Sequence, residues 1–137
     1  AQCIVVSIDT KKNGDHYYVY DYRKASLTIL EILAFSKKIE SLGAGEILLN
    51  SVDRDGAGEG YDINLLNYVT NQIKIPVIAC GGVGDWPDFK EALEKTNVDA
   101  VAAANIFHYR DQSVFLAKKY LFDSNMNVRK PDLLSIK

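Results

Sequence analysis

The first side chain in this sequence with an evident chemical use is a carboxylate. Asp9 directly follows the apolar run CIVVSI. An aspartate that leaves a buried strand and enters a cleft is partly desolvated, which suits a general acid or base. The same residue could instead anchor the strand end by pairing with Lys11, Lys12 or backbone amides. Asp55-Gly56 lies in the polar, glycine-rich stretch SVDRDGAGEG, where a glycine lets the backbone turn its N–H groups toward an anion. Alone, Asp-Gly is a common turn. Gly81-Gly82-Val83-Gly84 and Ala104-Asn105 add two further small-residue loops, each ahead of a helical stretch. Loops of this kind in succession are the usual material of a phosphate site built from backbone amides.

Other candidates keep plainer readings. His16 and His108 have no neighbouring Cys, His or carboxylate cluster at metal-ligand spacing, so no metal is expected. Tyr17, Tyr18, Tyr20 and Tyr22 read as packing residues of a short ribbon. The two cysteines, Cys3 and Cys80, each sit in an apolar run. Reduced thiols in a cytoplasmic protein are expected, with Cys80 a small buried hydrophobe. Glu46 opens a strand, where a charge usually serves a surface salt bridge or an interface.

These residues need elements to position them. The chain has 137 residues, 47% apolar and 25% charged, enough for one domain spanning 1–137 with a buried core. A formal charge of −2 spreads no basic field, which argues against nucleic acid or an anionic membrane as the partner. No apolar run approaches the ~20 residues needed to cross a bilayer, and no signal-like segment is expected ahead of the first strand. The start at Ala1, without Met, is what removal or omission of an upstream segment leaves.

Gln2 to Ile8 is a continuous β-branched run, the pattern of a strand covered on both faces. Asp15 to Tyr22, after Asn13-Gly14, predicts a ribbon or hairpin. Ser26 can cap a helix over Leu27 to Leu42, with Leu30, Leu33, Ile39 and Leu42 on its apolar side and Gly43 as its stop. Strands follow over 46–50, 76–80 and 99–103. Helices follow over 63–72, capped by Asp62, over 87–94 with Pro87 near its start, and over 113–122. The fold class is therefore α/β, with strand, loop and helix repeated four times and the strands parallel. A whole (β/α)8 barrel takes about 250 residues, so four units need about 125, and half a TIM barrel fits the length. A small flavodoxin-like open sheet is the runner-up. In a barrel the loops after the strands share one mouth. Asp9, the two glycine loops and Ala104-Asn105 all fall on it.

The segments VVSIDTKKNGDHYYVY, LGAGEILLNSVDRDGAGEGYD, IPVIACGGVGD and DAVAAANIFHYRD resemble the strand-loop signatures of the cyclase subunit of imidazole glycerol phosphate synthase. They correspond to strands five through eight of its barrel. The resemblance implies an ammonia-dependent lyase/cyclase that forms imidazole glycerol phosphate and aminoimidazole carboxamide ribotide in histidine biosynthesis. It also implies a glutaminase partner that supplies ammonia, a bis-phosphorylated substrate and no cofactor. Asp9 then corresponds to one of two catalytic carboxylates, the other lying in the N-terminal half. Asp55, Gly56, Gly82, Ala104 and Asn105 correspond to one substrate phosphate site, and Glu46 to the charged gate through which ammonia enters. Asn105, Ala57 and Cys80 stand where the family commonly has Ser, Thr and Ser, and YDYRKASLT is shorter than the usual loop. These departures keep two alternatives open: a paralogous barrel that works with an amidotransferase on surface-glycan sugars, and a non-catalytic phosphate-binding half barrel. Activity is expected to need the N-terminal half. Without it, self-association as a dimer is expected, to cover the open strand edges.

Overall fold

The computed structural model describes residues 3–109 and 114–132. Its elements run β1 (Val5–Asn13), β2 (His16–Asp21), β3 (Ser26–Glu31), α1 (Ile32–Ser41), β4 (Glu46–Ser51), α2 (Ile63–Thr70), β5 (Val77–Cys80), α3 (Trp86–Lys95), β6 (Ala100–Val101), α4 (Ile106–Tyr109) and α5 (Val114–Asp123). One six-stranded sheet has the order β3-β2-β1-β4-β5-β6. The strands β1, β4, β5 and β6 are parallel and adjacent in chain order. That order lacks the reversal that defines a flavodoxin-like sheet.

Local chemistry explains most of the elements. Asp62 caps α2 by accepting from the Leu65 N–H at 3.0 Å. Asp85 caps α3 in a reciprocal box with Asp88, and Pro87 sits in the first turn. The helices bury Ile32, Ile39, Leu65, Leu66, Val69, Phe89 and Ala92 against Ile8, Ile47, Leu49, Val77 and Ala79 of the sheet.

Four expectations are corrected. Residues 27–31 belong to β3, not to a helix, and Glu31 rather than Ser26 caps α1, accepting from the Ala34 N–H at 2.9 Å. The segment pairs with β2, Tyr20 opposite Leu27 and Asp21 opposite Ser26, and the Thr28 hydroxyl donates to the Val19 carbonyl at 2.9 Å. Sheet pairing thus overrides a helix-compatible apolar spacing. Leu42, counted on the apolar side, is 75% exposed at the end of α1. The fourth parallel strand is only Ala100–Val101, and the loop after it contains α4. The expected start of the last helix at Ser113 lies outside the described residues.

The remaining correction concerns coverage. Along β1, β4 and β5 burial alternates: Ile8, Thr10, Ile47, Leu49, Ser51, Val77 and Ala79 are buried, whereas Val5, Ser7, Asp9, Leu48, Asn50, Ile78 and Cys80 are not. The continuous apolar runs therefore have one face packed on helices and one face uncovered by the described residues. Val5 is 50% exposed on that open face.

Candidate active site

Asp9 is inside β1 rather than beyond its end. The strand pairs in parallel with β4 as far as Thr10 and continues to Asn13 as the partner of β2. Asp9 faces Asn50, and Asn50 faces Cys80. These three residues form a row across neighbouring strands on the open face. The Asn50 side-chain amide donates to the Asp9 carboxylate at 3.0 Å, which fixes the direction of the carboxylate. The Asn50 side-chain oxygen, Oδ1, is buried without a hydrogen-bond partner among the described residues.

Beyond Cys80, the loops after β4, β5 and β6 close around one pocket of about 240 Å³, to which Asp55, Gly56, Gly82, Ala104 and Asn105 all contribute. The loops are stitched to each other. The Gly60 N–H donates to the Gly82 carbonyl at 2.8 Å, and the Tyr61 hydroxyl donates to the Ala102 carbonyl at 2.8 Å. Gly82 has a φ of +107°, and a Cβ there would lie 2.2 Å from the Gly60 carbonyl oxygen. At Gly84 a Cβ would meet the Gly58 carbonyl oxygen at 2.3 Å. The backbones approach more closely than any side chain allows, which explains the glycines in structural terms.

Among the described residues no acceptor takes the N–H of Gly82, Val83, Ala104 or Asn105. By contrast, the N–H groups of Gly84 and Asp85 are already held by the Asp88 carboxylate, at 2.8 and 3.0 Å. Unused amides lining a small pocket are suited to the oxygens of an anion. The single carboxylate in the lining, Asp55, would repel that anion unless it turns away or accepts a ligand hydroxyl.

Cys80 is mouth-facing, not simply core. It lines the pocket and is half-buried. Burial pushes its thiol above the ordinary value, the carboxylates of Asp55 and Asp9 push the same way, and the Gly81 N–H opposes them. A thiol held protonated is a weak nucleophile. Among the described residues no His, Cys, Asp or Glu cluster could hold a metal ion.

The site is braced from the ribbon side. The carboxylate of Asp53 accepts from the Lys12 N–H at 2.7 Å, and the Tyr17 hydroxyl donates to Asp62 at 3.3 Å. Neither Asp53 nor Asn50 stood out in the sequence. Asn50 carried one available signal, a polar residue closing the apolar run ILL. Glu46 stands apart from all of these, roughly 13 Å along β4 from Asn50. It is half-buried on the same open face, and among the described residues it forms no ion pair.

A parallel sheet in sequential order, packed on helices and with its loops converging on one pocket, defines an α/β protein consistent with part of a (β/α)8 barrel. The family model for histidine biosynthesis protein matches residues 1–113, and the chain belongs to that family. It is 47% identical over 128 residues to the imidazole glycerol phosphate synthase subunit HisF of Dehalococcoides mccartyi, covering 93% of this chain and 51% of that protein. It is 46% identical over 129 residues to HisF of Pyrobaculum aerophilum, covering 94% and 51%. A Vibrio vulnificus protein whose name assigns it to the same synthase as subunit hisF2 is 45% identical, covering 94% and 47%. The chain spans about half the length of the curated relatives it matches.

Proposed function

We propose that residues 1–137 form a single half-barrel domain, four βα units with a ribbon after the first strand. It would supply one half of the cyclase of an imidazole glycerol phosphate synthase in histidine biosynthesis. The observation that carries this reading is the pocket shared by Asp55, Gly56, Gly82, Ala104 and Asn105 on the strand-end rim that also bears Asp9. In this reading the pocket amides hold one phosphate of a bis-phosphorylated substrate. Asp9, held by Asn50, moves a proton during ammonia addition and ring closure. A second carboxylate and the second phosphate site come from the other half. Glu46, at the opposite end of the open face, marks the side on which a glutaminase subunit would deliver ammonia.

The open face supports the need for that other half, because Val5, Leu48 and Ile78 set apolar side chains on this side with no cover among the described residues. The cover is either carried in the same polypeptide or provided by a second molecule, including a second copy of this chain. The setting is cytoplasmic in this reading. No helix among the described residues is long and apolar enough to cross a membrane.

Titration of the isotopically labelled chain with inorganic phosphate tests the pocket. Amide shifts at Gly82, Val83, Ala104 and Asn105 that saturate together are expected. Shifts absent there, or spread evenly over surface lysines, would sink the assignment.

A further inference from the structure

The face that carries Asp9 does not end at β1. Residues opposite each other in an antiparallel pair project from the same side of the sheet. Lys11 is paired with Tyr18, so both lie on the Asp9 side, and the two-residue period brings Tyr20 there too. The ring contacts agree with this. The Lys11 ammonium lies over the Tyr20 ring, 5.5 Å from its centroid. Tyr22 meets Tyr20 edge to face, with centroids 5.1 Å apart and planes at 88°. The ribbon therefore extends the open face as an aromatic wall beside Asp9.

A ribbon whose tyrosines only pack would bury their rings and satisfy their hydroxyls. Tyr17, on the helix side, does both: it is 7% exposed and its hydroxyl donates to Asp62. Tyr22 does neither. It is 53% exposed, and among the described residues its hydroxyl has no hydrogen-bond partner. Its phenol is pushed above the ordinary value, first by burial and then by the carboxylates of Asp9 and Asp55. The contact with Tyr20, which the strand register sets across from Asp9, holds the ring on the Asp9 side of the sheet.

We propose that Tyr22, oriented by Tyr20 and Lys11, is a stacking subsite for the planar nitrogen heterocycle of a sugar-phosphate ligand whose phosphate occupies the glycine pocket. The proposal rests on the phosphate-binding reading above. Cys80, Asn50, Asp9 and Tyr20 sit on successive strands, so the pocket floor and the ribbon backbone are about 14 Å apart at the ordinary strand spacing, and the tyrosine side chains reach back across part of that gap. A phosphate, a ribose and one ring span a comparable distance.

Two probes separate the pocket from the subsite: ribose 5-phosphate, which lacks the ring, and aminoimidazole carboxamide ribotide, which has it. Calorimetric titration of the chain is expected to give roughly five- to tenfold tighter binding of the ribotide, the gain an aromatic stack supplies. Tyr22→Ala should abolish that preference while leaving ribose 5-phosphate affinity within about twofold, and Tyr22→Phe should keep it. Tyr22 is exposed, so unchanged circular dichroism should accompany both variants. Equal affinities for the two probes, or a preference that survives Tyr22→Ala, would overturn the subsite and leave the pocket standing. Failure of both probes to bind the unaltered chain would overturn the pocket and the subsite together.

Discussion

At Gly82 the φ of +107° and the Gly60 carbonyl oxygen, 2.2 Å from where a Cβ would sit, act against any side chain. Backbone strain and overpacking each cost about 1–3 kcal/mol, and here the obstacle is main chain that cannot rotate aside. Gly82→Ala should therefore lower unfolding stability by about 3 kcal/mol or more, read by denaturant titration, and should abolish the phosphate-dependent shifts. Gly14→Ala is the control. Gly14 has a positive φ of +60° but open space around it, so a loss of about 1 kcal/mol is expected. Equal losses at the two positions would show that the pocket is looser than described. The pocket glycines were legible in the sequence as loops after successive strands. The crossing that puts Gly60 against Gly82 was not, because it depends on how two loops meet at residues 22 apart in the chain.

Among the elements, the ribbon and α2 are joined by the Tyr17 hydroxyl and Asp62. Burial first, then the Asp62 charge and hydrogen bond, push the Tyr17 phenol up to about 12 from an ordinary value of 10.0. Between those two values the folded chain keeps a proton that the unfolded chain has lost. Stability from this group is present below about pH 10 and is lost as pH rises toward about 12. Tyr17→Phe should remove that part of the alkaline dependence and cost about 1 kcal/mol at neutral pH. Parallel unfolding curves for the two proteins from pH 9 to 11.5 would contradict it. The element that sequence reasoning misplaced, β3, adjoins this link. Leu27, Leu30 and Leu33 satisfy a helical spacing, and Ser26 is an acceptable cap. The deciding partners, Tyr20 and Asp21 across the strand pair and the Val19 carbonyl for Thr28, are not readable from local spacing. Strands β4 and β5 were legible because their apolar runs are too short for a helix and are bounded by turn residues.

For the whole molecule, the open face is the dominant feature. Continuous apolar runs predicted cover on both sides of the sheet, yet only the helix side is covered by the described residues. Half the expectation was correct because the helices are local. The other half concerns a layer that is not among the described residues. A sheet face with uncovered apolar side chains, and a β6 edge unpaired among the described residues, favour association. Size-exclusion chromatography with light scattering is expected to give a dimer at micromolar concentration, shifting to a one-to-one complex when the N-terminal half of a relative is added. A stable monomer that ignores the added half would remove the half-barrel reading.

The most direct test is ammonia-dependent cyclase turnover after mixing this chain with the N-terminal half of a relative such as the Dehalococcoides mccartyi subunit. Turnover well above that of either part is predicted, falling by about 10²–10⁴-fold with Asp9→Asn. A soluble one-to-one complex without turnover, or turnover that Asp9→Asn leaves intact, would contradict the assignment of this chain as the half that carries the Asp9 acid/base group.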